Sequence, residues 1–141
     1  MPFIVKPIES LTLPLKIYQP TGVGKFEEHD LTVTWKYLTD DERDEINEEI
    51  AVSRRAYNAD LKAYGKGDLD EPPVIELTDQ VLCERLILNI DGMLTPEKEE
   101  IPYTTKMLGE LFKMNYVAKP LGEQLVAVIS GVAAIKEQEK N

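Results

Sequence analysis

The chain has 141 residues, 43% hydrophobic and 30% charged, which suits one folded domain and is too apolar for a wholly disordered chain. Its formal net charge of −10 repels phosphate, which argues against nucleic-acid or anionic-membrane partners. One cysteine, Cys83, and one histidine, His29, leave no disulfide framework within the chain and too few soft ligands for a four-ligand zinc site.

The amino-terminal run MPFIVKPIESLTLPLK carries prolines and a glutamate where a signal peptide needs an unbroken apolar core. Leu11, Leu13, Leu15 and Ile17 then alternate with Thr12, Pro14 and Lys16, the period-2 pattern of a half-buried strand. Pro14 assigns that strand to a sheet edge. Leu31, Val33, Trp35 and Tyr37 repeat the alternation, and PTGVGKFEEHD between the runs reads as a loop. Residues 1–38 are therefore expected to form an antiparallel hairpin or small sheet.

Thr39-Asp-Asp-Glu42 is a capping box, and the period changes after it. Ile46, Ile50, Tyr57, Leu61 and Tyr64 fall on one face of a helix over about 40–64, which Gly65 and Gly67 stop. Residues 65–77, GKGDLDEPPVIEL, read as a mobile connector. Thr78-Asp79 opens a second helix with Val81, Leu82, Leu86 and Ile90 inward. After DGMLTPEKEE, Thr104 or Thr105 caps a third helix bearing Met107, Leu108, Leu111 and Phe112. Pro120 suits the first turn of a fourth, with Leu121, Leu125, Val128 and Ile129 on a surface apolar nearly all round to Ile135. That helix is either buried or an interface. The last six residues, KEQEKN, are expected to fray. The expected fold class is α+β, an N-terminal antiparallel hairpin or small sheet followed by about four helices in a single domain. The longest strongly apolar run, Leu125–Ile135, is 11 residues, too short to span roughly 30 Å of hydrocarbon, so the chain reads as soluble and without a membrane partner.

Catalytic and metal motifs do not assemble. TGVGKF lacks the phosphate-loop pattern, since Gln19 stands at its first glycine position and Phe26 where Ser or Thr is required. An EF-hand alignment with Gly92 as its glycine puts Ile87 first and Lys98 last, where oxygen ligands are needed. His29, flanked by Glu27, Glu28 and Asp30, reads as a surface residue, and Cys83, in VLCERLIL, as a small buried apolar one. No catalytic residue, metal site or cofactor is expected. A hydrolase using an unmarked acidic pair is the weakest alternative.

The layout of the second half is more informative. A helix leads through ILNIDGM into the acid-rich LTPEKEE, and IPYT opens a helix with a Met/Leu/Phe face, KMLGELFKM. This resembles the tail assembly chaperones of long-tailed bacteriophages. Gly92 matches the family glycine and Ile101, Pro102, Tyr103 and Thr104 the helix-opening phrase, while Ile90 stands near the family tryptophan. KFEEHDLTVTWKYLTDDERDEI has the outline of the family's strand and long acidic helix. The resemblance implies a non-enzymatic, cofactor-free protein that binds the aggregation-prone tape measure protein in the host cytoplasm and is absent from the mature virion. It also implies self-association into a homo-oligomer, and a longer frameshifted form that recruits the tail tube protein.

For such a role, Tyr103, Met107, Leu111, Phe112, Met114, Leu125, Val128 and Ile129 are the expected partner or self-association surface, because methionine repacks around varied partners. The same stripe also reads as ordinary helix core. The alternative binding function is a small acidic phage-encoded module that inhibits a host protein. Under any of these readings DGMLTPEKEE is a solvated link between two helices.

Overall fold

The structure, a computed structural model, describes residues 8–131. The expected fraying of KEQEKN and the apolar surface beyond Gly131 lie outside those residues. Two strands come first, β1 (Ser10–Gly22) and β2 (Lys25–Lys36), then α1 (Asp40–Gly65) and α2 (Asp79–Leu86). A third strand, β3 (Ile87–Asp91), precedes α3 (Thr105–Phe112) and α4 (Asn115–Ser130). The expected α+β class is what forms: a three-stranded antiparallel sheet in the order β1-β2-β3, with four helices.

The alternating apolar residues do what their period requires. Leu13, Leu15 and Ile17 of β1 and Leu31, Val33 and Trp35 of β2 are buried on one face, paired in register as Leu13–Val33 and Leu15–Leu31. α4 packs on that face, and Leu121 and Leu125 sit with Trp35 among the most buried side chains. β1 is an edge strand, as Pro14 implies, and Pro14 lies opposite Thr32.

PTGVGKFEEHD is not the expected loop. β1 runs on to Gly22 and β2 resumes at Lys25, so only Val23-Gly24 turn. Gly24 takes φ +72°, which glycine adopts without steric penalty. Most side chains from Tyr18 to Asp30 are exposed, so the two-stranded arm projects past the core.

α1 begins as expected. Thr39 Oγ1 accepts the Glu42 amide at 3.2 Å, and Glu42 Oε1 accepts the Thr39 amide at 3.2 Å. Its apolar face is only partly used: Ile46 is buried, Ile50 and Tyr57 are half-buried, and Leu61 and Tyr64 are 45% and 41% exposed. Residues 66–77 form turns and bends without regular structure.

Three expectations fail in the second half. Ile90 does not belong to the second helix. α2 ends at Leu86, and Ile87–Asp91 pair with β2 as Trp35–Ile87, Thr34–Asn89 and Thr32–Asp91. Leu88 is the extra residue of a β-bulge, which turns both Ile87 and Ile90 inward. The fourth helix also starts earlier, at Asn115, leaving Pro120 inside it rather than in its first turn. The Lys119–Pro120 amide therefore has no N–H for the Tyr116 carbonyl one turn back.

DGMLTPEKEE likewise does not join two helices. Asp91 ends a strand, and the chain folds into a small hairpin: Ile101 N donates to Met93 O at 2.9 Å and Thr95 N to Glu99 O at 2.9 Å. Lys98 N closes the turn on Thr95 O at 2.8 Å, with Lys98 left-handed at φ +65°. Thr104 then caps α3, its hydroxyl accepting the Met107 amide at 3.1 Å.

Candidate interaction cleft

Below Ile50, α1 presents Ser53 and Arg54 rather than large apolar side chains toward α4 and the connector. An open cleft of about 850 Å³ lies between α1, the Ile75–Leu77 segment of the connector, α2 and the α3–α4 corner. Leu125 and Ile129, almost wholly buried, form its floor. Tyr57, Ile75, Phe112 and Val126 stand around it, Val126 at 63% exposure. Arg54, Asp79 and Lys119 supply a mixed-charge rim. An apolar floor inside a polar rim suits an apolar segment of a partner.

The eight residues expected to form one partner surface are not on one surface. Leu111, Leu125, Val128 and Ile129 belong to the buried core. Phe112 lines the cleft, and Met107 packs half-buried against the core. Met114 is also half-buried, its sulfur accepting the Tyr116 hydroxyl at 3.0 Å. Tyr103 lies elsewhere, in a pocket of about 450 Å³ with the end of β3 and the hairpin after it. Its hydroxyl is buried without a partner, and burial pushes its pKa up, helped by Cys83 and Glu84.

Sequence reasoning missed Ile75 and Val126, and gave Tyr57 a place on the apolar face of the first helix but no part in a site. Val74-Ile75 was the available signal, an apolar pair in an otherwise acidic connector.

The groups considered for chemistry sit apart. His29 Nε2 meets Gln19 Oε1 at 3.1 Å on the exposed arm, with Glu27 at 4.0 Å. Cys83 is fully buried, and burial, with Asp79 and Glu84 adding to it, pushes its thiol up to about 12. At neutral pH it holds its proton and is a poor nucleophile. Among the described residues no three His, Cys, Asp or Glu side chains gather as a metal would need, and no helix is long and apolar enough to cross a membrane.

No family model, curated protein or solved structure matches this chain.

Proposed function

We propose that this chain is a phage or prophage tail assembly chaperone, which binds the tape measure protein and keeps it soluble while the tail is built. The observation that carries the reading is the unpaired apolar surface of α1. Past Ile50, Tyr57 lines the cleft only half-buried, and Leu61 and Tyr64 beyond it stand 45% and 41% exposed. A holding protein needs such a surface, exposed but rimmed by charge. The formal charge of −10 supports solubility of the loaded complex. The resemblance carried by Gly92 and Ile101–Thr104 gives the client its identity. Under this reading the protein acts in the host cytoplasm by reversible association, without cofactor or turnover. It self-associates, and a longer frameshifted form bridges to the tail tube protein.

The test is co-expression with the tape measure protein encoded in the same tail gene cluster. The expected result is soluble tape measure protein that co-purifies with this chain, and a free chain larger than a monomer in sedimentation. A strict monomer that leaves the tape measure protein insoluble overturns the reading.

A further inference from the structure

Beside the cleft, and sharing Ser53, Tyr57 and Leu77 with it, a second groove of about 490 Å³ runs between α1 and the connector at Val74–Leu77. Its floor is Val52, Ala56 and Tyr57 from α1, with Val74 and Leu77 opposite. Val52 is 49% exposed and Val74 82%, so two branched apolar side chains face water here without covering. The charged groups lining the groove are all carboxylates: Glu48, Glu49, Asp60 and Glu76. Glu48 meets Arg55 at 3.4 Å and Glu49 meets Arg85 at 2.7 Å. Asp60 and Glu76 have no cation within reach among the described residues.

We infer that this groove docks a cationic amphipathic helix of the client, apolar side chains on the Val52–Ala56 floor and lysine or arginine against Asp60 and Glu76. The inference rests on the client-holding reading above and names the face and chemistry of contact.

Shape favours a helix. From Glu48 to Asp60 the groove follows α1 over twelve residue steps, about 18 Å at 1.5 Å per step. Ser53 and Ala56 are the small residues at its middle, where a second helix can approach closely. An open trough of this form, without converging hydrogen-bond donors, suits helix-in-groove recognition better than a small molecule.

Charge selects among helices. A second copy of this chain would bring another formal charge of −10, and its own α1 carries Asp40, Asp41, Glu42, Asp44 and Glu45 in its first turns. Self-docking here would set acid against acid. A client helix with lysine or arginine flanking an apolar stripe satisfies Asp60 and Glu76 and covers Val52 and Val74 in one contact.

The probe is an acetylated, amidated 18-residue helical peptide with a leucine/alanine stripe flanked by lysines, compared with a counterpart in which every lysine is glutamate. Binding to the full chain is read by fluorescence anisotropy. The lysine peptide is expected to bind about tenfold or more tightly than the glutamate one. It should weaken between about 0.1 M and about 1 M salt, as the screening length falls from about 10 Å to about 3 Å. Ala56→Arg, at an exposed helix position, should abolish lysine-peptide binding with an unchanged melting temperature. The double variant Asp60→Lys/Glu76→Lys should reverse the preference between the peptides. Equal binding of both peptides, binding of neither, or undiminished binding by folded Ala56→Arg overturns the proposal. Lysine-peptide failure beside a still-solubilised tape measure protein sinks this groove and leaves the chaperone reading standing. Peptide binding beside an insoluble tape measure protein does the reverse.

Discussion

Gln124 accepts the indole N–H of Trp35 at 2.8 Å through Oε1. The same amide donates through Nε2 to the Pro14 carbonyl at 3.0 Å. One amide orientation satisfies both bonds, so helix α4 is pinned to the sheet at its central strand and at its edge strand together. Trp35 is fully buried, so its indole proton has no water to fall back on. Pro14 removes a donor from the β1 edge, and Gln124 occupies the carbonyl beside it. That edge is blunted against pairing with other chains.

Gln124→Leu keeps approximate volume and leaves the Trp35 indole proton unsatisfied. It is expected to destabilise the fold by about 1–3 kcal/mol, the cost of an orphaned buried donor. In a Trp35→Phe background the orphan no longer exists, and the same substitution should cost less. Urea denaturation of the two single variants and the double variant measures the difference. Additive losses would mean the indole–amide bond contributes nothing specific.

A second clamp closes the far end of α4. Arg43 Nη1 donates to the Ser130 carbonyl at 3.3 Å while its guanidinium pairs with Asp40. A cation here faces the negative end of the helix dipole. Gly131 follows at φ +81°, and a Cβ on it would overlap the Arg43 guanidinium. Arg43→Ala should cost about 1 kcal/mol. Gly131→Ala should cost more, combining about 1–2 kcal/mol of left-handed strain with displacement of Arg43. Because the two share one space, the Gly131 penalty should shrink in the Arg43→Ala background, by about 0.5 kcal/mol or more in a double-mutant cycle.

These contacts mark where sequence stops being sufficient. Strand alternation, the Thr39 capping box, the Thr78 and Thr104 caps and the Pro14 edge are local signals, and local geometry honours them. β3 was hidden because Leu82, Leu86 and Ile90 have helical spacing. The Leu88 bulge sets Ile87 and Ile90 three residues apart, which no period-2 reading detects. α4 begins before Pro120 with no side-chain cap at Met114 to announce it. The overhang of α1 was hidden for a different reason. Periodicity says which face of a helix is apolar, but whether a neighbour exists to cover Leu61 and Tyr64 is a property of the whole chain. The eight-residue surface was split likewise, since Leu111 and Val128 had the same pattern as the cleft-lining Leu125 and Ile129.

Burial of Cys83 sets a pH dependence. Its thiol is raised from an ordinary 9.0 to about 12, so the folded state holds that proton more tightly than the unfolded chain. The associated stability is full below about pH 9 and is lost as pH climbs through the folded value, at up to about 1.4 kcal/mol per pH unit. Tyr103, also raised by burial, acts in the same direction. Denaturation midpoints should therefore fall above pH 9 in the parent protein and fall less steeply in Cys83→Ala. Thiol labelling at pH 8 should be slow in the native state and fast in denaturant. Rapid native labelling would place Cys83 outside the core.

Gly92 stands at a turn whose backbone requires glycine. It turns the chain out of β3 into the 93–101 hairpin at φ +105°, a backbone state that side chains rarely tolerate. A Cβ there would lie 2.9 Å from the Asp30 carbonyl oxygen and 3.2 Å from Leu31 Cδ2. Asp30 and Leu31 are backbone neighbours in β2 that cannot retreat without dragging the sheet. Gly92→Ala is therefore expected to cost about 1–3 kcal/mol from backbone strain alone, with the close approach adding to it. Gly109, inside α3, is the control: the nearest atom to its Cβ would be Gln80 Nε2 at an ordinary 3.5 Å. Gly109→Ala should stabilise by about 0.4–1 kcal/mol, because the unfolded chain loses more freedom than the helix does. Thermal or urea unfolding of both variants reads the contrast directly. A tolerated Gly92→Ala would show that the turn relaxes, and would remove the physical reason for a glycine at this position.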